Sequence, residues 1–322
     1  MRAHSLIAFS VLMQAAAEAF LSGRISSGDS LRFSLLAFLG CTLLFLTAGR
    51  TSRTRGRGSA EISSGVWRSF AVLNVASAVT FLGLYVALVW VPAAFAASLM
   101  AGIGPLAAST LARLSGETRP AASWVRSVGL FVASVLTAAA VQPSLLDTSS
   151  WQSGPATSAV GACLALLAGI GATVLARLSR RLGKRGIAPS VVMAHRFHLT
   201  YVLAALALTS DQLTEPPRLE WGVTALVAFG GVVIPLYALQ IGAQRTAAPV
   251  TMALLATQPG LAYLVQGALG HPLTVPGTVA VALLLLVATA VVRVEHRLPR
   301  TRVVTAPELP KEGDGAASTR GL

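Results

Sequence analysis

Gln14 and Glu18 stand four residues apart in the apolar stretch LIAFSVLMQAAAEAFLS, so a helix there carries both on one face. Glu18 is the lone carboxylate inside any of the chain's long apolar stretches. An ionisable group in that setting is a functional candidate by default, because it can take up and release a proton or hold a cation. The competing reading places Glu18 at the outer surface, solvated beside Arg24. His195 and His198, three apart with Arg196 beside them, form a second group. Imidazole titrates near neutrality and can pass a proton or touch a substrate; the alternative is a pair of satisfied polar side chains near the inner interface. Amides and hydroxyls form the third group: Asn74 with Ser69, Ser77 and Thr80, and, much later, Thr257, Gln258 and Tyr263. Such groups line a solute path or hydrogen-bond a neighbouring helix. No metal ligand cluster follows from the spacing, and no cofactor is expected. Cys41 and Cys163 both lie in apolar stretches and read as small buried residues, not as a disulfide.

The elements that carry these residues are set by composition. The chain is 54% hydrophobic and 11% charged, with a mean hydropathy of +0.70. That is too apolar for a soluble domain. A hydrocarbon core of about 30 Å requires about 20 helical residues. Ten windows approach or meet that, roughly 5–22, 31–49, 67–89, 91–113, 123–142, 156–176, 189–209, 221–239, 247–269 and 273–293. The runs lack the alternation of a lipid-facing barrel, so helices are expected. The first window resembles a secretory leader, with AAAEA after a short apolar core. Its removal would leave nine spans and cost the repeat described below its first member.

A net charge of +13 would point to nucleic acid in a soluble protein, but the placement of the 25 basic residues excludes that reading here. With the N-terminus inside, 21 of them fall in or beside cytoplasmic segments, notably GRTSRTRGRG around 49–58 and ARLSRRLGKRG around 176–186. Three (Arg24, Arg32, Arg218) fall outside, and Arg196 lies within a span. The positive-inside rule then predicts an even number of spans with both ends cytoplasmic. The tail, 294–322, is basic and then rich in Pro, Gly and Ser, the composition of a disordered segment.

An internal echo divides the chain. WVPAAFAASLMAGIGPLAASTLARLSGE (90–117) recurs in plan as IGAQRTAAPVTMALLATQPGLAYLVQGALGH (241–271). An offset of 154 superposes Pro105 on Pro259, Ala93 on Ala247, Ala94 on Ala248, Ala108 on Ala262 and Gly116 on Gly270. Arg32-Phe33 recurs as Arg196-Phe197, 164 residues later. The predicted fold class is therefore an all-α polytopic membrane protein of ten transmembrane helices, arranged as two inverted five-helix repeats, 1–150 and 151–293. Opposite insertion of five-span halves is the plan of an inverted-repeat transporter. Proline at 105 and 259 removes a backbone hydrogen bond and predicts a kink in each of the two echoed spans. Small residues such as Gly104 allow close approach there.

The ten-span plan, the Arg-Phe early in spans two and seven, and the Ala-rich span running through Pro-Leu to Gly-Glu resemble the EamA-type branch of the drug/metabolite transporter superfamily. The likeness covers about residues 5–293, and its motifs are shared by carriers of very different solutes. It implies that the fourth and ninth spans are central, that Pro105 and Pro259 sit on hinge-like helices, that the solute path runs between the halves, and that Glu117 holds the family's acidic position after the fourth span. His271 replaces the corresponding acid in the second half. The substrate path is assigned to Gln14, Glu18, Asn74, Gly104, Pro105, Thr257, Gln258, Pro259 and Tyr263, with Glu18, His195 and His198 as the proton-coupling candidates. The function expected is secondary transport, as export of a small metabolite, an amino-acid-like compound or a drug across the cytoplasmic membrane. No GxxxxGK[ST] loop is present to bind ATP. A non-transporting scaffold or regulator and an integral-membrane enzyme are the rivals, the enzyme disfavoured because the spans hold no cluster of acids. The expected partners are a small-molecule substrate and the lipid bilayer, with a homodimer left open and nucleic acid excluded.

Topology is directly testable. Reporter fusions after Arg57, Asp147, Lys184 and Pro217 are expected to read in, out, in, out, and any other order removes the inverted arrangement.

Overall fold

The computed structural model of the chain describes residues 3–21, 25–53, 64–91, 93–116, 121–141, 154–210, 219–270 and 273–297. The border at 150/151, Glu117, His271 and the tail beyond 297 lie outside the described residues. All regular structure among them is helical: α1 (Ala3–Leu21), α2 (Ser27–Arg53), α3 (Ser64–Trp90), α4 (Ala93–Leu114), α5 (Ala121–Val141), α6 (Gly154–Lys184), α7 (Pro189–His195), α8 (His198–Leu208), α9 (Trp221–Ala228), α10 (Ile234–Arg245), α11 (Ala248–Leu255), α12 (Gln258–Ala268) and α13 (Val275–Arg297). By length and composition, these make 10 segments able to cross a membrane. Spans one to six are single helices, α7–α8 make the seventh, α9–α10 the eighth, α11–α12 the ninth, and α13 the tenth.

Local chemistry sets several ends. Ser26 and Asp29 form a reciprocal capping box at α2: the Asp29 N–H donates to Ser26 Oγ at 3.1 Å and the Ser26 N–H to Asp29 Oδ2 at 3.1 Å. The fourth and ninth spans end alike, on Gly116 (φ 72°) and Gly270 (φ 91°), the left-handed conformation that favours glycine. These are the two glycines that the sequence echo superposes. Helix α6 stays helical through Arg181 and Lys184, well past its apolar window, since hydropathy marks the lipid boundary and not the helix end.

The second half differs from the first in continuity. The seventh span breaks at Arg196-Phe197, which corrects the expectation of a single helix over 189–209, although His195 and His198 remain neighbours across the break. The eighth holds a π turn, Phe229–Val233, just before Pro235, whose missing N–H forbids the regular α bond at that point. The ninth breaks at Ala256-Thr257, and Pro259 then occupies the first turn of α12. Pro105, by contrast, leaves α4 continuous.

Exposed large apolar side chains such as Leu226, Leu286, Val279 and Leu206 ring the outside, while Trp67, Trp124 and Trp221 stand near helix ends. This is the arrangement that lipid contact and two interfaces select. The interior core centres on Phe38, which packs against Phe81 and Phe197 at ring distances of 4.8 Å each. Helix neighbours recur in pairs: α3 lies on α6 as α1 lies on α10, α4 on α6 as α1 on α11 and α12, and α4 on α5 as α11 and α12 on α13. Helices α2, α4 and α5 meet α7–α8, α11–α12 and α13 respectively.

Gly169 makes the α4–α6 contact possible. A Cβ there would overlap Ile103 Cγ2 and the backbone oxygen of Met100, which cannot swing aside. Gly169→Ala is expected to destabilise the purified protein by about 1–3 kcal/mol in detergent unfolding. Gly129→Ala, which meets open space, serves as the unaffected control.

Candidate functional site

A cavity of about 60 Å³ lies among α1, α3, α4, α6, α10 and α11–α12, at the break of the seventh span. Its polar wall includes Gln14, Ser179, Arg196, Gln240, Thr251 and Gln258, and its apolar wall includes Phe81, Met100, Leu175, Leu236 and Leu239. Few polar groups set in a largely apolar lining is the usual make-up of a small-molecule site.

Two polar clusters define its chemistry. In the first, Arg196, only 4% exposed, donates from Nη1 to Gln240 Oε1 at 2.8 Å, and Ser179 Oγ donates to the same oxygen at 3.0 Å. The guanidinium lies 4.6 Å from the ring centre of Phe197 and 5.8 Å from that of Phe81. The helix break is what turns Arg196 inward: it is the first residue after α7, and Phe197 immediately joins the aromatic core. In the second cluster, Gln258 donates from Nε2 to Glu18 Oε1 at 2.7 Å, tying the first span to the ninth. Glu18 Oε2 is buried without a hydrogen bond. Gln14, one turn from Glu18, lines the cavity and bonds Ser10 Oγ at 2.6 Å.

A second concavity, about 120 Å³, opens at the far ends of α4 and α6 and the start of α11, lined by Arg177, Arg180, Arg181 and Lys184 with Ala108, Ala112, Ala248 and Pro249. The packed group Ala108, Ala176, Ala248 and Met252 has members on both linings and so forms the partition between the two spaces.

The expected site residues distribute unevenly. Gln14 and Gln258 line the central cavity, and Glu18 is bonded to Gln258. Gly104 lies against Met252, where an added Cβ would come within 2.9 Å of Sδ, and its carbonyl accepts from Thr173 Oγ1 at 3.0 Å. Pro105 and Pro259 are buried in the facing helices α4 and α12. Thr257 bonds the Leu254 carbonyl at 2.7 Å inside the break of its own span. Tyr263 pins the entry to α13, accepting from the Thr274 N–H at 2.7 Å and donating to its carbonyl at 3.0 Å. Asn74 closes the break in the seventh span, donating to the His195 carbonyl at 2.7 Å and accepting from the Leu199 N–H at 3.2 Å. His195 and His198 flank that break with rings 5.8 Å apart, and His198 Nδ1 meets Tyr201 Oη at 3.0 Å. Neither histidine, nor Asn74 or Tyr263, is on the cavity wall. Among the described residues no three His, Cys, Asp or Glu side chains gather as a metal site.

Neither Arg196 nor Gln240 was among the site residues expected from the sequence. The available signal was Arg196 itself, a strong cation in mid-span with no acid one helical turn away.

A solved structure described only as "Crystal structure of protein" is similar over 92% of this chain and 98% of its own, with a TM-score of 0.67 and 20% identity. At that identity the likeness shows a shared fold. No protein-family model matches the sequence, and no curated protein does.

Asn74→Ala leaves the His195 carbonyl and the Leu199 N–H without the side-chain partner that bridges the break. A loss of about 2 kcal/mol or more is expected in thermal unfolding of the purified protein. Asn74→Asp, which keeps the acceptor and removes the donor, is expected to fall between.

Proposed function

We propose that this chain is a secondary transporter of the EamA type within the drug/metabolite transporter superfamily. It exports a small metabolite, an amino-acid-like compound or a drug by alternating access across the cytoplasmic membrane, with both termini cytoplasmic. The observation that carries this reading is the central cavity, a polar-lined space at the level where the seventh and ninth spans break, walled by helices from both halves of the chain. Irregular backbone in a bilayer is tolerated where it is buried in protein or lines a cavity, and transporters place binding sites at such breaks.

The inverted repeat is supported by the pairing of neighbours. Exchanging each span with the one five further on turns α3–α6 into α10–α1, α4–α6 into α12–α1, and α4–α5 into α12–α13, and these contacts are present. The matched left-handed glycines, Gly116 and Gly270, fit the same exchange. Spans four and nine meet at Gly104 and Met252, next to the cavity. Alternating access then consists of opening the Ala108–Ala176–Ala248–Met252 partition on the basic side and closing the Glu18–Gln258 side, and the reverse.

Substrate-dependent flux in proteoliposomes holding the purified protein tests the transporter reading, and its absence across metabolite panels would favour a scaffold. Glu18 is proposed as the coupling residue, since it is a carboxylate inside the spans and has one buried, unbonded oxygen. Glu18→Gln is expected to abolish accumulation against a gradient while retaining, at least in part, solute exchange that needs no net proton movement. Normal accumulation with an unchanged pH profile would remove Glu18 from coupling and move attention to His195 and His198.

A further inference from the structure

Resting on the transporter reading above, we propose that Arg196 and Gln240 form an anion-binding subsite, and that the transported solute carries a compact anionic group, a carboxylate in the simplest case. Arginine remains ionised in proteins, so its charge cannot be shed by burial. Here that charge is 4% exposed and, among the described residues, meets no carboxylate: its hydrogen bond is to the neutral amide oxygen of Gln240. The faces of Phe197 and Phe81 offset part of the burial and do not neutralise a full charge. A cation held that way inside a membrane is costly, and such residues mark solute pathways.

Two donors point to the missing partner. Arg196 Nε and Gln240 Nε2 are both buried and both lack an acceptor, and both belong to side chains on the wall of the central cavity. Gln240 itself is 1% exposed, with its oxygen already shared by Arg196 and Ser179. The subsite therefore offers positive charge and unspent N–H groups while its acceptor capacity is taken. A carboxylate, with two acceptor oxygens and a negative charge, complements it; an ammonium does not. Phe81, Leu236 and Leu239 give the remainder of the solute an apolar environment. The mouth beyond the partition has the same sign, since Arg177, Arg180, Arg181 and Lys184 line it. A concave basic entrance raises the local concentration of anions. Glu18 is held by Gln258, and Arg196 bonds Gln240.

The test is thermal unfolding of the purified protein with matched acid and amide probes: leucine and leucinamide, phenylalanine and phenylalaninamide, isovalerate and isovaleramide. Acids are expected to raise the midpoint and their amides not to. Arg196→Gln should weaken the response to acids by about tenfold or more, and Arg196→Lys by less. Ligand-free Arg196→Gln should unfold at a higher temperature than the parent, because it removes an uncompensated buried charge; a purely structural arginine predicts the reverse. If Arg196→Gln does not fold, Gln240→Met keeps the cation and removes the second donor, and it should still weaken acid binding. Equal stabilisation by amides, undiminished acid binding in the variants, or no response to any acid overturns the subsite. Acid-selective binding without flux of that acid in proteoliposomes would remove the transporter reading and leave the subsite. Flux of acid and amide alike would do the opposite.

Discussion

Inside a bilayer a peptide N–H or C=O that finds no partner in the protein finds none at all, and this requirement decides where the chain can leave the helix. The described spans of the first half run unbroken, and those of the second are interrupted three times, at Arg196-Phe197, at Phe229–Val233 and at Ala256-Thr257. Each interruption is covered by protein. Asn74 takes both polar groups at the first, the π turn packs on α1 and α2, and Thr257 caps the Leu254 carbonyl at the third. The irregular backbone thus collects around one interior, and the side chains it redirects, Arg196 and Gln258, are polar ones on the cavity wall.

Keeping that interior small depends on residues with little or no side chain. Gly169 lets α6 ride on Met100 and Ile103, and Gly171 brings α6 close enough to α3 that an added Cβ would come within 2.5 Å of Thr80 Oγ1. Water gives no drive to association between apolar helices in lipid, so such contacts hold by packing and short hydrogen bonds. The α4–α11 contact is the loosest of these in chemical character: Met252, a flexible thioether, lies against Gly104 and accepts from Thr173 Oγ1 at 3.3 Å. At a joint made of a methionine on a glycine the thioether is flexible and the Thr173 hydroxyl retains the Gly169 carbonyl of its own helix as an acceptor.

Much of this was legible in the chain and some of it could not be. Apolar windows such as 189–209 and 123–142 fall within two residues of Pro189–Leu208 and Ser123–Ala140, because length and hydropathy are properties of the span itself. Helix ends beyond the lipid, as at Arg53 and Lys184, carry no hydropathy signal. The breaks were misjudged for a different reason. Pro105 lies within the continuous α4, whereas Arg196-Phe197 has neither Pro nor Gly and breaks where Asn74 bonds the carbonyl of His195, 121 residues away. Glu18 and Gln258 were recognisable as polar residues in apolar runs, but their 2.7 Å bond spans 240 positions. Pairings of that kind are set by tertiary packing, so composition identifies the participants and not the partners.

The cavity region holds one cation that cannot lose its charge and one carboxylate that can, and hydrocarbon limits which combinations can be carried across. With no solute docked, Arg196 has no carboxylate beside it among the described residues, and Glu18 is bonded to Gln258 instead. An anion at Arg196 supplies that missing charge; were Glu18 ionised as well there would be two negative charges against one, and neutrality returns when Glu18 takes a proton or when the solute brings its own cation. On this reading a simple acid moves with a proton, and a zwitterion moves without one, through the same two residues. Gln258 is placed to serve both forms of Glu18, because an amide donates N–H to a carboxylate and presents C=O to a carboxylic acid. A proton taken up on the unbonded Oε2 leaves Oε1 accepting from Gln258, so the contact that joins the first span to the broken ninth can persist in both charge states of Glu18.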